Sequence, residues 1–466
     1  MRKIYLGFAV IVFLFSISFV ASVQAQPQPT KKQIDQARKL GEEGHKFFRQ
    51  KNYRMAVERY QKASALIPNY SFPALFYYNK GYSHYTLQQY ELALAALNKA
   101  FDQGYPAIEI HKIRWYLNYA AKDYDNALQD AEEVARVEPN NSNVLMAIGD
   151  IYRQKRMFKE SVTAYEKAAL LVPNNGDLHY FTADSYARLG NTTQQGVTAL
   201  KAIQNNTRYL GDAWYLVGNS FYVDGKLTEA ADAYERAISA KPNLTEAYTN
   251  LSQIYQNLNR FNDAIAMTKK GLEFSPQDGN LYINLAWLLS LADRHIEAIG
   301  AGKKAIEFAP DQYMGYTNLC RAYMDVKEFE TALQTCNNAL KLKPGDGETN
   351  YYIGRIYSFQ NKSDLAENYY KKAVTGLIAS AKERPSYSDV YYLLGNAYLA
   401  LSQIPSAIVA YKKCLELSPN FTKVLYNLGY SYVLNNDKKS ARDQYNLLVK
   451  LDSKRAAKLL QDIQGN

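Results

Sequence analysis

The side chains able to do acid–base or metal chemistry are few in this sequence and far apart. The five histidines, His45, His84, His111, His179 and His295, stand at separate points of the chain. None has a second histidine four residues away, the spacing that puts two imidazoles on one helical face for zinc. The sequence contains no G-x-x-x-x-G-K-[ST] phosphate loop and no G-x-S-x-G nucleophile elbow. Gly345-Asp346-Gly347 follows Pro344 and reads as a tight turn between elements rather than a metal loop. Catalysis needs polar groups that converge, and these do not. No catalytic residue, metal ligand or cofactor is assigned, and the chain is expected not to be an enzyme. Cys320 and Cys336 read first as small core residues, with a disulfide between them as the alternative, and Cys414 reads as buried and inert.

What does recur is asparagine. Asn250, Asn284 and Asn318 follow one another at intervals of 34 residues, as do Pro242, Pro276, Pro310 and Pro344. Pro139 to Pro173 and Pro385 to Pro419 repeat that 34-residue step. With the proline taken as position 32, a small residue returns at 8, aromatics at 11 and 24, and alanine at 20; in one unit these are Gly218, Phe221, Tyr234 and Ala230. Twelve units begin near Ala37, Ala74, Ile108, Ser142, Gly176, Gly211, Thr245, Gly279, Tyr313, Gly347, Ser388 and Thr422. Apolar residues at positions 4, 7, 8 and 11 make one buried stripe on a first helix, and positions 20, 24 and 27 make another on a second. Small residues at 8 and 20 let the two helices approach, and aromatic rings fill the space between pairs. That role accounts for 41 tyrosines in a chain of 466 residues. Proline at 32 ends each unit.

These residues and spacings resemble the tetratricopeptide-repeat family, and the resemblance covers nearly all of the chain after its first residues. It implies an all-α, right-handed superhelical solenoid in which each unit is stabilised by its neighbours. In that family positions 2, 5, 6, 9, 12 and 13 of the first helix line a concave groove. Asn250, Asn284, Asn318 and Asn427 all occupy position 6, and an amide there suits the backbone of an extended peptide. The row is similar to the asparagine ladder in the repeat region of O-linked N-acetylglucosamine transferases. The basic clamp by which chaperone-adaptor repeats hold a C-terminal carboxylate is not recognisable here. Three departures stand out. Trp115 occupies position 8 of the third unit, and Gln195 with Gly196 occupies position 20 and its neighbour in the fifth, which lacks a proline near Thr207. Pro344 to Pro385 is seven residues longer than one period, so the segment 374–385 is expected to extend the second helix of the tenth unit.

The ends carry separate signals. Arg2 and Lys3 precede an apolar run, Ile4 to Val20, and Val23-Gln24-Ala25 is a small-x-small site, so residues 1–25 read as an export signal and Gln26 as the mature start. An uncleaved N-terminal anchor is the alternative. A short leader, 26–36, would precede the repeats of 37–453, and 454–466 reads as a capping helix with Ala457, Leu460 and Ile463 on its apolar face. The net charge of +10 is dispersed among acidic residues and marks neither a nucleic-acid nor a lipid surface. The expected protein is an exported, most plainly periplasmic scaffold that binds proteins or extended peptides in its groove, with secretion as an alternative destination. The rival is a substrate-recruiting, non-catalytic subunit of an enzyme such as a glycosyltransferase.

Overall fold

The computed structural model describes residues 28–465, and every regular element among them is an α-helix, 25 in all. The segment 1–25 and the mature start at Gln26 lie outside the described residues. The first 24 helices pair as hairpins, whose first helices begin at Lys31, Ala74, Ala107, Ser142, Gly176, Leu210, Thr245, Gly279, Tyr313, Gly347, Ser388 and Thr422. The first helix starts earlier than Ala37 because Thr30 and Gln33 form a reciprocal capping box at its N-terminus.

The chain divides into two compact units, residues 1–151 and 152–466. In the first, Tyr60, Phe76, Leu97, Ile110 and Leu117 are buried between successive hairpins. In the second, the core runs through Leu251 and Leu285, then Tyr352 and Ile356, then Tyr411, Leu425 and Leu459. Each unit is a stack in which hairpins lie against their sequence neighbours.

The turn inside every hairpin has one backbone conformation. Position 15 is left-handed in all twelve, with φ between 56° and 75°, yet only Gly190 and Gly225 among these residues are glycines. In the seventh repeat the Asn259 N–H donates to Gln256 O at 2.9 Å and the Arg260 N–H to Tyr255 O at 2.8 Å, a pattern that satisfies the last carbonyls of the helix. Backbone bonding, rather than residue type, thus closes the turn.

Positions 8 and 24 are where the two helices of a hairpin come closest. A Cβ on Gly218 would lie 2.6 Å from the Tyr234 ring, and one on Gly395 would lie 2.4 Å from Tyr411, so only glycine admits the ring. The seventh repeat fills the same slot with Ser252 and Thr268, whose hydroxyls are 2.8 Å apart. The ninth fills it with Cys320 and Cys336. These are not two separate small core residues, as the first reading of the sequence had them: the helices approach so closely, 5.2 Å between the Cα atoms, that the sulfurs join in a disulfide. Cys414 is buried as a free thiol, and burial pushes its pKa well up, which leaves it protonated.

The added residues of the tenth repeat are helical. Its second helix, Ser363–Glu383, has 21 residues where that of the ninth, Phe329–Leu342, has 14. The last helix, Ser453–Gln464, is capped by Asp452 and buries Ala456, Leu459 and Ile463. Ala457 is exposed and Leu460 half-buried, because spacings of three and four follow the helical period that two spacings of three do not. Gln195 is buried and donates to Leu216 O at 2.7 Å, so its polar group ties the fifth hairpin to the sixth.

Candidate functional site

The four asparagines at position 6 share one register, on the first helices Thr245–Asn257, Gly279–Leu291, Tyr313–Asp325 and Thr422–Leu434. Each amide nitrogen already has an acceptor in the protein. Asn250 Nδ2 donates to Asn219 Oδ1 at 3.1 Å and to the Tyr234 hydroxyl at 3.2 Å, while Tyr234 donates to Asn219 at 2.7 Å. Asn427 makes the same triangle, at 2.8 Å to Asn396 Oδ1 and 3.5 Å to Tyr411, which donates to Asn396 at 2.7 Å. The first repeat builds it a third time with His45, Tyr60 and Asn79. So the tyrosine at 24 buries its ring within one hairpin and hands its hydroxyl to position 6 of the next. Asn284 makes a longer bond, 3.4 Å to Ser252 Oγ, and Asn318, only 6% exposed, donates to Ile283 O at 2.8 Å.

Beyond Asn250 the inner face changes character. Around Asn250 itself, Asn219, Tyr222, Val223 and Gln253 form a recess of about 210 Å³, with Tyr222 39% and Val223 62% exposed. From the end of the seventh repeat onward the inner-face positions close upon one another. Gln256 of the seventh repeat donates to Asp389 of the eleventh at 2.6 Å, across 133 residues of sequence. Lys423 of the twelfth reaches Leu291 O at 3.0 Å and Asp293 at 3.1 Å, both in the eighth. The Phe261 and Phe421 rings meet at 6.3 Å. What remains inside is a second cavity of about 210 Å³ whose walls include Asn284, Trp287, Asn318, Glu348 and Asp389.

Charge gathers in the wall of this cavity and directly behind it. Arg321 is 7% exposed, with its guanidinium carbon 4.5 Å from the Trp287 ring centroid and 5.8 Å from that of Tyr352. Burial works against its charge, but Tyr352, Asp325 and Glu348 outweigh that and raise its pKa further. Glu348 accepts from the Tyr352 hydroxyl at 3.0 Å; burial, then repulsion from Asp346, push its pKa up to about 7 against the pull of Arg321. Asp389 is pushed up to about 6 by burial, partly offset by Arg321 and by the Gln256 amide that donates to it. The sequence reading missed Arg321, Glu348 and Asp389. Their one signal was register: they sit at positions 9, 2 and 2, all on the inner face, in three successive units. Among the described residues no group of three or more His, Cys, Asp or Glu is placed to hold a metal ion. Nor is any helix among them long and apolar enough to cross a membrane.

Models of the tetratricopeptide repeat match residues 74–102, 142–175, 198–244, 224–288, 347–375, 388–421 and 422–455, together more than half of the chain. The chain belongs to the tetratricopeptide-repeat family. Its repeats are 26% identical over 202 residues to RNA polymerase II-associated protein 3 of Rattus norvegicus, covering 43% of this chain and 27% of that one. They are 29% identical over 135 residues to serine/threonine-protein phosphatase T of Aspergillus oryzae, covering 29% of this chain and 27% of that one. They are 26% identical over 149 residues to protein O-mannosyl-transferase TMTC3 of Homo sapiens, covering 30% and 16% respectively. The tetratricopeptide-repeat chain thus spans well under a third of the length of each of these relatives. Among solved structures, MamA is 24% identical over 36% of this chain and 92% of its own, with a TM-score of 0.34. YrrB, described as a TPR protein with an unusual peptide-binding site, is 18% identical over 40% and 95%, with a TM-score of 0.37. At these scores the family assignment rests on the repeats themselves.

Proposed function

We propose that this tetratricopeptide-repeat protein is an exported scaffold that holds extended polypeptides on the inner face of its hairpins. The observation that carries the reading is the recess at Asn250: five inner-face positions of two successive repeats bring two amides, an exposed tyrosine and an exposed valine beside Gln253. Amides that satisfy a peptide backbone next to apolar side chains that take its substituents are what sequence-tolerant peptide binding requires. Asn284, Asn318 and Asn427 continue the same register, with their amide nitrogens holding the preceding repeat, and Asn284 and Asn318 line the second cavity. Export draws support from the apolar segment Ile4 to Val20 and from the Cys320–Cys336 disulfide, which persists in oxidising compartments. A periplasmic location is the simplest destination.

The test is retention of polypeptides from an envelope extract by the immobilised mature chain, compared with a Val223→Asp/Tyr222→Ala variant of equal thermal stability. Loss of retained polypeptides in the variant is the expected result. Equal retention by both would remove the recess from the proposal, and recovery of a full-length cytoplasmic form as the main species would end the export reading. The rival reading, a non-catalytic recruiting subunit of an enzyme such as a glycosyltransferase, draws on the likeness to TMTC3. Co-elution of a transferase among the retained polypeptides would favour it.

A further inference from the structure

The cavity beside Glu348 and Asp389 is separate from the Asn250 recess, and its chemistry differs. Glu348 and Asp389 face it together with Asp346, while Trp287, Tyr313 and Tyr387 supply aromatic wall. Asp346 is already committed, since its Oδ2 accepts from the Thr349 N–H at 2.8 Å and from the Thr349 hydroxyl at 2.6 Å. Glu348 has a single neutral donor, Tyr352. Asp389 accepts a side-chain hydrogen bond from a neutral group, Gln256, at 2.6 Å. Neither carboxylate has a salt bridge, although Arg321 lies within electrostatic reach of both.

The cations nearby are otherwise engaged. Arg321 and Lys343 are not part of the chamber lining: the first lies on the Trp287 ring at 4.5 Å, and the second lies 4.6 Å from the Tyr313 ring centroid and donates to the Tyr313 hydroxyl. Arg384, the one cation that does line the chamber, rests on Tyr387 at 4.9 Å, and it is exposed. A group inside therefore meets two carboxylates that lack a cationic hydrogen-bond donor, between aromatic rings. No metal-binding cluster is formed by these carboxylates, which points away from an inorganic ion. A volume of about 210 Å³ holds several waters or one extended side chain, not a folded element.

We propose that this chamber binds an organic cation, a primary ammonium or guanidinium on a flexible chain, with Glu348 and Asp389 as its anionic partners and Trp287 and Tyr313 as the walls around its methylene stem. Such a group carries N–H donors for the two carboxylates and apolar length for the rings, the combination by which charged and aromatic walls select ammonium ligands. Two sources share this chemistry, a basic side chain of a bound polypeptide and a free diamine. The assignment does not depend on the Asn250 recess.

Calorimetric titration of the full mature chain with blocked lysine (N-acetyl-lysine methylamide), with 1,5-diaminopentane and with blocked norleucine separates them. Binding by blocked lysine assigns the site to a basic side chain. Binding by the diamine alone assigns it to a free amine. Norleucine, which keeps the stem and lacks the charge, is expected to bind at least about tenfold more weakly than the better cation. Affinity should also fall as the pH drops from about 8 to about 5, because both carboxylates then take up protons. Glu348→Gln keeps the shape and the Tyr352 contact and should reduce cation affinity about tenfold, with thermal unfolding recorded to show that the fold is retained. Equal binding of lysine and norleucine, or undiminished cation binding in a folded Glu348→Gln protein, would overturn the assignment.

Discussion

The inner face of the sixth and seventh repeats and that of the eighth to eleventh use the same registers of the same hairpin, and they do opposite things. At position 9, Gln253 is half-buried beside the Asn250 recess and bonds only Asn257 on its own helix, at 3.2 Å, whereas Arg321 is enclosed between the rings of Trp287 and Tyr352. At position 6, Asn250 borders a recess, whereas Asn318 is buried. A repeat fixes which side chains pair two helices; curvature decides whether the remaining side chains meet solvent, a ligand or one another. The second stretch has curved until Asp389 of the eleventh repeat meets Gln256 at the end of the seventh, so the groove has narrowed to a cavity.

The largest test of this contrast is at position 9. Arg321→Ala removes the buried guanidinium that packs on Trp287 and pairs with Asp325, and is expected to destabilise the second unit by about 3 kcal/mol in urea unfolding. Gln253→Ala, the same register beside the recess, should stay within about 0.5 kcal/mol. Similar values for the two would mean that the chamber does not close in solution. Next in size is the disulfide: it encloses a loop with a sequence separation of 16, so replacing both cysteines by alanine should lower stability by about 3 kcal/mol on chain-entropy grounds. Thiol titration of the unfolded, unreduced protein should find one free group, Cys414.

A smaller effect is the pH dependence. The folded-state pKa values of Glu348 and Asp389, about 7 and about 6, lie above those of ordinary carboxylates. The folded state therefore holds more protons than the unfolded one between about pH 4 and pH 7, so the stability these groups contribute is present at low pH and is lost as pH rises through that window. The urea midpoint should fall over that range, and a Glu348→Gln/Asp389→Asn variant should flatten the fall. A slope unchanged in the variant would place the titration elsewhere. The smallest effect is at Asn250: replacement by alanine removes its bonds to Asn219 and Tyr234 and should cost about 1 kcal/mol, since the tyrosine retains Asn219 as acceptor. No change in stability would mean that the triangle contributes nothing to stacking the hairpins.

Legibility in the sequence followed the range of the interactions. Proline spacing and the small and aromatic registers placed the hairpins after the first to within a residue, because those residues act within one repeat or between neighbours, but missed the early start of the first helix at Lys31. The left-handed residue at position 15 was invisible, since ten of the twelve are not glycine and the conformation is imposed by backbone hydrogen bonds. The disulfide was open as an alternative, because spacing alone does not say how near two helices come. The position-6 asparagines were visible as a row, but not their bonds to the tyrosine hydroxyls, which require knowing that position 24 of one hairpin faces position 6 of the next. Arg321, Glu348 and Asp389 were the least legible. Their encounter depends on curvature accumulated over four repeats, and no local pattern records that sum.

The disulfide of the ninth repeat lies within a single hairpin and joins no two hairpins, which matters when the chain is pulled from its ends. Stacked hairpins held by neighbour contacts peel away one after another, each releasing its residues as added contour length. A hairpin of 34 residues yields roughly 120 Å at about 3.5 Å per residue. In the ninth, the bond withholds the 16-residue span between Cys320 and Cys336, so its step should be shorter by roughly 55 Å. A reductant would restore the missing length. That one short stride would mark the position of the ninth repeat in an extension trace and reveal, molecule by molecule, the order in which the stack comes apart.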